Sequence, residues 1–595
     1  MTRHPSPPFG LAHFSLLCVG LMWVLPFLYF YHAYPVTTFY QEWLAAWLAI
    51  AALPLLLTDR YWQAPEVPRM VLAPIGLMLV LLVQFLAGRV IHFDYVLLLA
   101  LYFLGAALLM ILGQRLREEL GLEKVVQWLA IFLLAGALLN TLVGILQHFR
   151  WHTVLDSVIT VKVSTAVYGN LAQPNHFAHY ITLGLISLGL LSRRLRVWHT
   201  VLLAAPMLFV LVLSGSRSAW LYLVAALALA WWVQRRDASQ KPLLYFSAAL
   251  LAGFAVMHLV VQLPFLAGAS GVVTSGERLF NESGGNSIRF FLWREALLIF
   301  TQFPLLGAGF GQFAWQHFEL GPVLQNTDIS GLYNNAHNVV MQIAAEAGLA
   351  GLLALLWPLL PWLSANLRGE PTLRAEHWWG YALLAVAAIH SLLEYPLWYQ
   401  YFLGVAAVLL GLFDRTTYRL QLRAMGRLAV AAILLLGAVS LGQGALGYRH
   451  IERALAQRVQ AAQDPQQWVS RTRDELLAAH GYPLFNSYAA LFIANMVPPT
   501  ADHLQEKLAL NERALRFIPT AQLAYHQALL LGWADRPREA EAMLLRALWS
   551  YPADYETVRG ELEQLAQQEP RRFAPLLEFA TRKIEEYRRA AVSAR

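Results

Sequence analysis

The sequence predicts an all-α protein that crosses a membrane about thirteen times and carries a soluble helical domain at its C-terminal end. Two observations on the 595 residues lead to this fold class. First, 58% of the residues are hydrophobic and 14% are charged, with a mean hydropathy of +0.47, whereas globular domains are about 25% charged. Second, the long apolar runs lie almost entirely within residues 1–447, and residues 448–595 have the composition of a soluble helical protein. This composition excludes a disordered, collagen-like or coiled-coil chain.

Thirteen segments of region 1–447, the predicted transmembrane domain, are apolar enough to cross the membrane as helices. A spanning helix needs about 20 apolar residues because the hydrocarbon core is about 30 Å thick. The segments are 11–31, 42–57, 70–87, 94–113, 125–147, 177–192, 199–214, 217–233, 243–263, 338–362, 376–394, 396–413 and 427–447. The first segment lacks a clear small-residue cleavage site, so we expect a retained helix rather than a removed signal peptide.

The loops between these spans differ in their content of lysine and arginine. Alternate loops are rich in basic residues, such as those near positions 115–124 and 193–196, and the loops between them are poor in basic residues. Because basic loops stay in the cytoplasm, the N-terminus is predicted to be cytoplasmic. An odd number of spans then places the tail, 448–595, outside, which for a bacterial inner-membrane protein is the periplasm. Segment 148–176 and the long loop at about 264–336 also face outward.

The net charge of +7 is explained by these cytoplasmic loops together with a mildly basic tail. A nucleic-acid partner is therefore not expected. Membrane lipids are the expected surroundings and partners of the chain.

The tail, 448–595, contains a weak internal repeat with the spacing of a tetratricopeptide motif. Arg-Ala-Leu at 513–515 precedes Pro519, and the same triplet recurs about 33 positions later, at 546–548, before Pro552. Small residues allow helices to pack closely, and proline ends a helix. We therefore expect a domain of helical hairpins, which serves either to bind a peptide or as a packing module.

Three arginines are predicted at the outer membrane face, where ionisable side chains are costly and mark functional sites. Arg217 lies between two spans in SGSRS, where small neighbours let a ligand approach the backbone. Arg289 and Arg294 lie in the long loop, and their spacing puts them about 140° apart on a helix, so one of the two faces a given site. Each also has a structural interpretation: Arg217 as an interfacial arginine, and the loop arginines as ion-pair partners of Glu295.

The long loop continues with a glycine-rich turn and ends at His337. The turn PLLGAGFG, at 304–311, lacks the spacing of a dinucleotide-binding motif and is predicted to be flexible. His337 and Asn338 begin the tenth span, whose N-terminus would attract phosphate, and a histidine can accept a proton from a hydroxyl. The alternative is a structural histidine. Glu346 lies inside the span and requires a partner, for which an arginine is the obvious candidate.

Two further polar segments flank spans at the outer face. The segment GNLAQPNH, at 169–176, precedes the sixth span, and HSLLEYPL, at 390–397, forms a tight turn between the eleventh and twelfth spans. Amide side chains pair with hydroxyls and aromatic rings cover apolar sugar faces, although aromatic residues are also common in interfacial belts. The candidate binding residues in these segments are Gln173, Asn175, His176, His390, Glu394 and Tyr395.

The sequence lacks the motifs of several other chemistries. The single cysteine, Cys18, lies in an apolar run, which excludes a disulfide framework and a cysteine metal site. The HExxH motif, paired carboxylates and phosphate-binding loops are also absent. We therefore expect no metal, no cofactor and no use of ATP, so a bond-forming reaction outside the cytoplasm would require an activated donor.

The segments GNLAQPNH and HSLLEYPL, with His337-Asn338 opening a span that contains Glu346, resemble the bacterial protein O-oligosaccharyltransferases that glycosylate pilins. These belong to the wider superfamily of O-antigen ligases and polymerases. Arg217 and Arg289 are similar to the arginines that this superfamily carries at the outer membrane face. The resemblance covers roughly residues 11–447.

The resemblance implies the transfer of an oligosaccharide from undecaprenyl diphosphate to a serine or threonine of an exported, pilin-like protein. The missing metal motifs predict that this transfer is metal-independent. The resemblance also implies that His337 is the base or orients the acceptor, and that Arg217 and Arg289 bind the diphosphate, with Arg294 as a further contact. Arginine suits this role because it is permanently charged and binds phosphate through two hydrogen bonds.

Two other activities remain open. The same chemistry could act on a different acceptor, lipid A core in an O-antigen ligase or a second lipid-linked glycan in a polymerase. A lipid-glycan flippase belongs to a different class, but transporters place polar sites near the bilayer midplane in repeated halves. The polar residues of this sequence cluster at one face instead.

Overall fold

The computed structural model describes residues 10–266, 284–327, 329–368, 373–420, 422–456 and 465–593. These residues form helices joined by short turns, with one short antiparallel strand pair among the described residues. In that pair, β1 (Glu66–Pro68) runs beside β2 (Thr417–Arg419), with Glu66 opposite Arg419. The predicted all-α membrane fold is therefore confirmed.

Each of the thirteen predicted spans coincides with a helix or a pair of consecutive helices. The helices up to residue 260 are α1 (Leu11–Met22), α2 (Leu25–Leu28), α3 (Phe39–Ala52), α4 (Asp59–Gln63), α5 (Leu72–Leu86), α6 (Phe93–Leu120), α7 (Leu122–Phe149), α8 (Pro174–Leu191), α9 (Val197–Leu213), α10 (Ser218–Arg236) and α11 (Lys241–Val260). The helices from the long loop onward are α12 (Gly284–Gln302), α13 (Phe313–Leu324), α14 (Val339–Arg368), α15 (Ala375–Leu393), α16 (Gln400–Leu412) and α17 (Arg423–Ala456).

Eight helical segments of the described chain are long and apolar enough to cross a membrane. They are Leu11–Leu28, Phe39–Leu57, Arg69–Leu86, Phe93–Leu120, Leu122–Phe149, Ala238–Val260, Val339–Arg368 and Ala424–Ala456. Two shorter apolar helices, α9 and α16, also match predicted spans. The total of thirteen spans, and the orientation of the chain in the membrane, stay predictions.

By packing, the chain divides into two compact units. Unit 1 comprises Met1–Met78, Leu101–Asn286 and Leu353–Leu441; unit 2 comprises Leu79–Ala100, Ser287–Leu352 and Gly442–Arg595. Unit 2 therefore combines the tail with the long loop and with the turn between α5 and α6, which are the segments that the sequence places on the same side of the membrane. The predicted division at residue 447 follows composition and stays a prediction.

The core of unit 1 is built around α8, which packs closely on its neighbours. A Cβ atom added at Gly184 would lie 2.2 Å from the Ala137 side chain, so glycine permits the contact between α8 and α7. The phenol of Tyr180 donates to the Trp23 carbonyl at 2.8 Å, and its ring stacks on Phe27 with centroids 4.1 Å apart. The buried phenol of Tyr180 therefore has a hydrogen-bond partner on the neighbouring segment.

The tail in unit 2 is a set of helical hairpins that shares its core with the long loop. Trp315 and Phe318 of α13 pack among the apolar residues of the tail, and the Arg516 guanidinium lies 4.1 Å from the Trp315 ring centroid. The tail helices are α18 (Pro465–His480), α19 (Asn486–Met496), α20 (Leu504–Phe517), α21 (Ala521–Trp533), α22 (Pro537–Ser550), α23 (Tyr555–Gln568) and α24 (Pro570–Ser593). The helical prediction for the tail is correct, and its tetratricopeptide assignment stays a prediction.

Candidate functional site

Three of the polar segments singled out in the sequence meet at Asn175, in the first turn of α8. The Asn175 amide oxygen accepts a hydrogen bond from the Ser216 hydroxyl at 2.8 Å, and its amide nitrogen donates to the Glu394 carboxylate at 3.2 Å. Gln173 caps the same helix, because its side-chain oxygen accepts from the His176 backbone at 2.6 Å. The structure of unit 1 therefore connects segments 169–176, 214–218 and 390–397 through one asparagine.

Arg217 lies next to this network, directly after Ser216 and before the first residue of α10. The residue is half-buried, and its guanidinium has no hydrogen bond or ion pair within the described part of the chain. A partly buried charge without a partner is unfavourable. An anionic ligand would supply the missing partner.

Behind Asn175, three histidines form a buried cluster. The Nδ1 atoms of His179 and His390 lie 2.7 Å apart, so one ring donates a hydrogen bond to the other. The His176 ring lies 5.5 Å from that of His390 and 4.8 Å from that of Tyr399, centroid to centroid. The sequence analysis missed His179. Its position three residues after His176, on the same helix face, was a signal that could have found it.

Tyr395 and Tyr399 stack beside Glu394, with ring centroids 5.9 Å apart. Burial, followed by the nearby Glu394 charge, raises the pKa of Tyr395. The phenol therefore remains a protonated hydrogen-bond donor at neutral pH. This property suits a contact with a sugar or phosphate oxygen.

Asn170 of the segment 169–176 organises the backbone around it. Its amide nitrogen donates to the carbonyls of Leu28 and Val158 at 2.8 and 2.9 Å, and its oxygen accepts from the Thr160 backbone at 3.0 Å. Gly169 has a φ of +55°, and an added Cβ would lie 2.8 Å from the Asn140 side chain. Part of this motif therefore serves to fix the loop between α7 and α8.

In unit 2, His337 lies in a turn whose shape is fixed by the two asparagines around it. Its backbone N–H donates to the Asn335 side chain at 2.8 Å, and its φ is +52°. The Asn338 side-chain oxygen accepts from the backbone of Val340 at 3.0 Å and of Met341 at 3.2 Å. Asn338 is therefore the N-cap of α14, and the half-buried His337 projects from a rigid turn at that helix end.

Glu346 has partners other than the arginine that the sequence suggested. Its carboxylate accepts a hydrogen bond from the Phe313 backbone at 3.2 Å, and it is also hydrogen bonded to the Gly311 backbone and the Gln342 side chain. Backbone N–H groups of the glycine-rich turn thus satisfy the buried carboxylate. The expectation of an arginine partner was wrong.

The turn at 304–311 is packed tightly against α14, so the prediction that it is flexible was also wrong. Gly348 interrupts α14 with a φ of +62°, which leaves carbonyl groups without helical partners. Ala308 and Gly309 donate to the carbonyls of Ala345 and Glu346 at 2.9 and 3.0 Å. A Cβ atom at Gly307 would lie 2.2 Å from the Glu346 carbonyl carbon. The glycines are therefore required for close backbone contact.

Gln84 and Arg89, which the sequence analysis missed, complete this arrangement. The Gln84 side chain donates to the carbonyls of Leu306 and Glu346 at 2.6 and 2.7 Å and accepts from the Phe310 backbone at 3.1 Å. The Arg89 guanidinium donates to the Gly307 carbonyl. A polar residue within the apolar segment 70–87 was the available signal for Gln84.

The arginines of α12 differ in exposure: Arg289 is half-buried and Arg294 is exposed. Glu295, for which an ion pair with one of these arginines was the alternative interpretation, is hydrogen bonded to His317, whose Nδ1 lies 2.9 Å from its carboxylate. Both residues of that pair are buried.

Among the residues that the structure describes, no group of three histidine, cysteine, aspartate or glutamate side chains could hold a metal ion.

Comparisons with known proteins identify related sequences along much of the chain. A family model described as O-Antigen ligase matches residues 200–356, one described as Protein glycosylation ligase matches residues 167–191, and one described as Virulence factor membrane-bound polymerase, C-terminal, matches residues 378–565. All the candidate site residues fall within these matched segments. A General O-oligosaccharyltransferase of Acinetobacter baylyi is 29% identical over 451 residues, which cover 73% of this chain and 75% of the relative. A ComP-specific O-oligosaccharyltransferase of the same species is 23% identical over 389 residues, 63% of this chain and 66% of the relative.

A polytopic helical fold with these matches defines a membrane glycosyltransferase of the O-antigen ligase type. Within that class, the chain is similar to the O-oligosaccharyltransferases.

Proposed function

We propose that this protein transfers an oligosaccharide from undecaprenyl diphosphate to a serine or threonine hydroxyl of an exported protein, such as a pilin. The reaction takes place at the periplasmic face of the bacterial inner membrane, with the N-terminus of the enzyme in the cytoplasm and residues 448–595 in the periplasm. The transmembrane region, 1–447, carries the reaction, and it uses neither a metal nor a cofactor.

The observation that carries this proposal is the half-buried Arg217 guanidinium, which has no partner among the described residues and lies where three of the polar segments meet. Cleavage of the bond between the sugar and the diphosphate builds negative charge on the leaving oxygen. A permanently charged guanidinium stabilises that charge more strongly in the transition state than in the ground state. We assign Arg217, and in unit 2 Arg289, to the diphosphate, with Arg294 as a further contact.

The acceptor hydroxyl requires a base, and we assign this role to His337. In the proposed step, the hydroxyl oxygen forms a bond to the anomeric carbon as the bond from that carbon to the diphosphate oxygen breaks. The hydroxyl proton passes to the imidazole, and undecaprenyl diphosphate leaves with the bonding electron pair. A single in-line displacement of this kind inverts the anomeric centre. The rigid turn around His337 supports the role, because a base must be held in position to act.

The remaining candidate residues would bind the glycan and the acceptor or hold in place the residues that do. Asn175, His390 and Tyr395 contribute amide, imidazole and phenol groups in unit 1, and Gln173, His176 and Glu394 position them. Asn338 and Glu346 hold the His337 turn and α14 in unit 2.

The test is an in vitro assay with the purified full-length protein, a lipid-linked oligosaccharide, a pilin-like acceptor and EDTA. Transfer by the wild-type protein, detected as a mass increase of the acceptor, is the expected result. The His337→Ala variant is expected to lose at least about a thousandfold in rate, since base catalysis and orientation of the acceptor are both removed.

A matched control is His503→Ala. His503 also precedes a helix with a positive φ, +49° compared with +52° for His337, and it lies exposed in the tail. Full activity of His337→Ala would refute the role of this histidine. Transfer to lipid A core or to a second lipid-linked glycan, with no transfer to protein, would identify a ligase or a polymerase, the names carried by two of the matching family models.

A further inference from the structure

The loop between α7 and α8 contains a segment in which the usual placement of charged and apolar side chains is reversed. Val161 and Val163 are 79% and 89% exposed, whereas the ammonium nitrogen of Lys162, between them, is buried. In a loop that folds to hide apolar surface, the valines would lie inward and the lysine outward. Another interaction must therefore determine this orientation.

Hydrogen bonds on both sides of Lys162 fix the reversed orientation. The Tyr168 phenol donates to the Val161 carbonyl at 2.9 Å and accepts from the Val163 backbone at 2.7 Å. Immediately before them, the Thr160 carbonyl accepts from Gln147 at 2.8 Å. The Thr160 N–H donates to Asn170, as described above. The polar residues of the motif that begins at residue 169, together with Tyr168, thus hold Lys162 with its side chain turned inward.

The Lys162 ammonium group has no hydrogen-bond partner within the described chain. A second cation, Arg150 at the C-terminal end of α7, repels it. Burial, followed by Arg150, lowers the pKa of Lys162. A cation that is removed from water, unpaired and next to a second cation is unfavourable. An anion bound near it would reverse that balance.

We propose that Lys162, together with Arg150, binds a phosphate-bearing anion, and that this anion is the diphosphate of the lipid-linked donor. Lysine binds phosphate as a point charge on a flexible stem. Rotation about its side-chain bonds brings the ammonium group from its buried position to the phosphate oxygens, while the hydrogen-bonded backbone stays in place. The choice of the donor diphosphate rests on the proposed function; the binding of phosphate does not.

The experiment measures binding separately from transfer. The thermal unfolding midpoint of the purified full-length protein is followed against increasing undecaprenyl diphosphate, against inorganic diphosphate, and in nanodiscs with and without phosphatidylglycerol. We expect undecaprenyl diphosphate to raise the midpoint of the wild-type protein. In Lys162→Met the unliganded midpoint should rise, because the unpaired charge is gone, and the affinity for undecaprenyl diphosphate should fall about tenfold or more.

Two further variants test whether the effect belongs to this position. Lys241→Met makes the same change at an exposed lysine and should leave both the midpoint and the affinity unchanged. Tyr168→Phe keeps the lysine but removes both hydrogen bonds to its neighbours, and should weaken binding without raising the unliganded midpoint.

Unchanged affinity in Lys162→Met would overturn the proposal. Stabilisation by phosphatidylglycerol alone would overturn the assignment to the donor. Stabilisation by inorganic diphosphate that is weaker than that by undecaprenyl diphosphate, and that is also lost in Lys162→Met, would support the assignment. If the protein binds undecaprenyl diphosphate through Lys162 but glycosylates no protein, the binding site stands and the proposed function fails. If glycan transfer proceeds with an unchanged KM for the donor in Lys162→Met, the proposed function stands and the binding site fails.

Discussion

The polar cluster around Asn175 in unit 1 and the His337 turn in unit 2 are built in different ways. In unit 1, the singled-out side chains contact one another: Asn175 joins Ser216 to Glu394. In unit 2, the singled-out side chains contact backbone groups, as Glu346 does with the glycine-rich turn. The first cluster should therefore be sensitive to the identity of side chains, and the second to the path of the backbone.

The largest effect on the side-chain cluster is expected for Arg217→Ala. Removal of a guanidinium that stabilises the departing diphosphate should lower kcat/KM for glycan transfer by about 10²–10³. Arg217→Lys should recover part of this loss, because lysine keeps the charge but loses the paired hydrogen bonds. The measurement is the initial rate with purified protein and lipid-linked donor.

Arg194→Ala is the control, since Arg194 is exposed on a different loop and makes a loose pair with Glu123 at 3.8 Å. A rate for Arg217→Ala similar to that of this control would show that the guanidinium has no part in transfer.

The corresponding change to the backbone-built region is Gly307→Ala. Its Cβ would lie 2.2 Å from the Glu346 carbonyl carbon at a φ of +68°, so either the turn or α14 must move. We expect the free energy of unfolding to fall by about 2–4 kcal/mol, from steric overlap and the strained φ together. Thermal unfolding of the purified protein measures this.

Gly88→Ala separates the two causes, because Gly88 has nearly the same φ, +70°, but its Cβ would meet nothing within 4 Å. Equal destabilisation of the two variants would show that backbone strain, and not the close contact with α14, determines the effect.

Asn175→Ala should have a smaller effect on stability than Gly307→Ala. It leaves the Ser216 hydroxyl and the Glu394 carboxylate without this partner, at a cost of about 1–3 kcal/mol. Activity should fall as well, since the contact between the three segments is broken. Thr160→Ala, which removes a hydroxyl hydrogen bond to the Phe30 carbonyl at 2.9 Å in the same unit, provides a comparison. Greater destabilisation by Thr160→Ala would contradict the central place of Asn175.

The smallest effect is a dependence of stability on pH. Burial lowers the pKa of His92 to about 4. The Asp94 charge opposes this with a smaller effect, and the Arg513 charge adds to it. In the unfolded chain the histidine binds a proton near pH 6.5, so unfolding takes up protons between pH 6.5 and about 4. The stability contributed by neutral His92 is complete above pH 6.5 and is lost as the pH falls through that range, by about 1 kcal/mol at pH 5.5.

His92→Asn keeps a donor for the Ser487 hydroxyl, which lies 2.9 Å from the His92 Nδ1 atom, and should reduce this dependence on pH. Thermal unfolding at pH 7.5 and pH 5.5 provides the measurement, with His503→Asn at an exposed position as the control. An equal loss of stability in His92→Asn and the wild-type protein would assign the dependence to other groups.

The same contrast explains how much the sequence could predict. Hydrophobic runs predicted the helical segments at all thirteen spans but not the helices of the long loop, because burial of apolar surface does not depend on the detailed partners of each residue. The sequence indicated Asn175 and Glu394 as separate candidate residues, and only the structure shows that they contact each other. The arginine partner predicted for Glu346 was wrong, since a backbone N–H leaves no sequence pattern that marks it as a partner. The histidine that contacts Glu295 lies 22 positions away and left no such pattern either. The glycines of the turn at 304–311 were interpreted as a sign of flexibility. In the structure, their lack of a side chain allows the turn to pack closely against α14.

The break at Gly348 has a consequence for how the protein is made. A helix interrupted within the bilayer cannot satisfy its own carbonyl groups, and lipid offers no donors. The donors come from residues 304–311, which leave the ribosome before α14 does. The segment is therefore already synthesised when the interrupted helix enters the membrane. Insertion of α14 is completed by docking onto a part of the chain made earlier, and a deletion in that turn would impair membrane integration before it impaired chemistry.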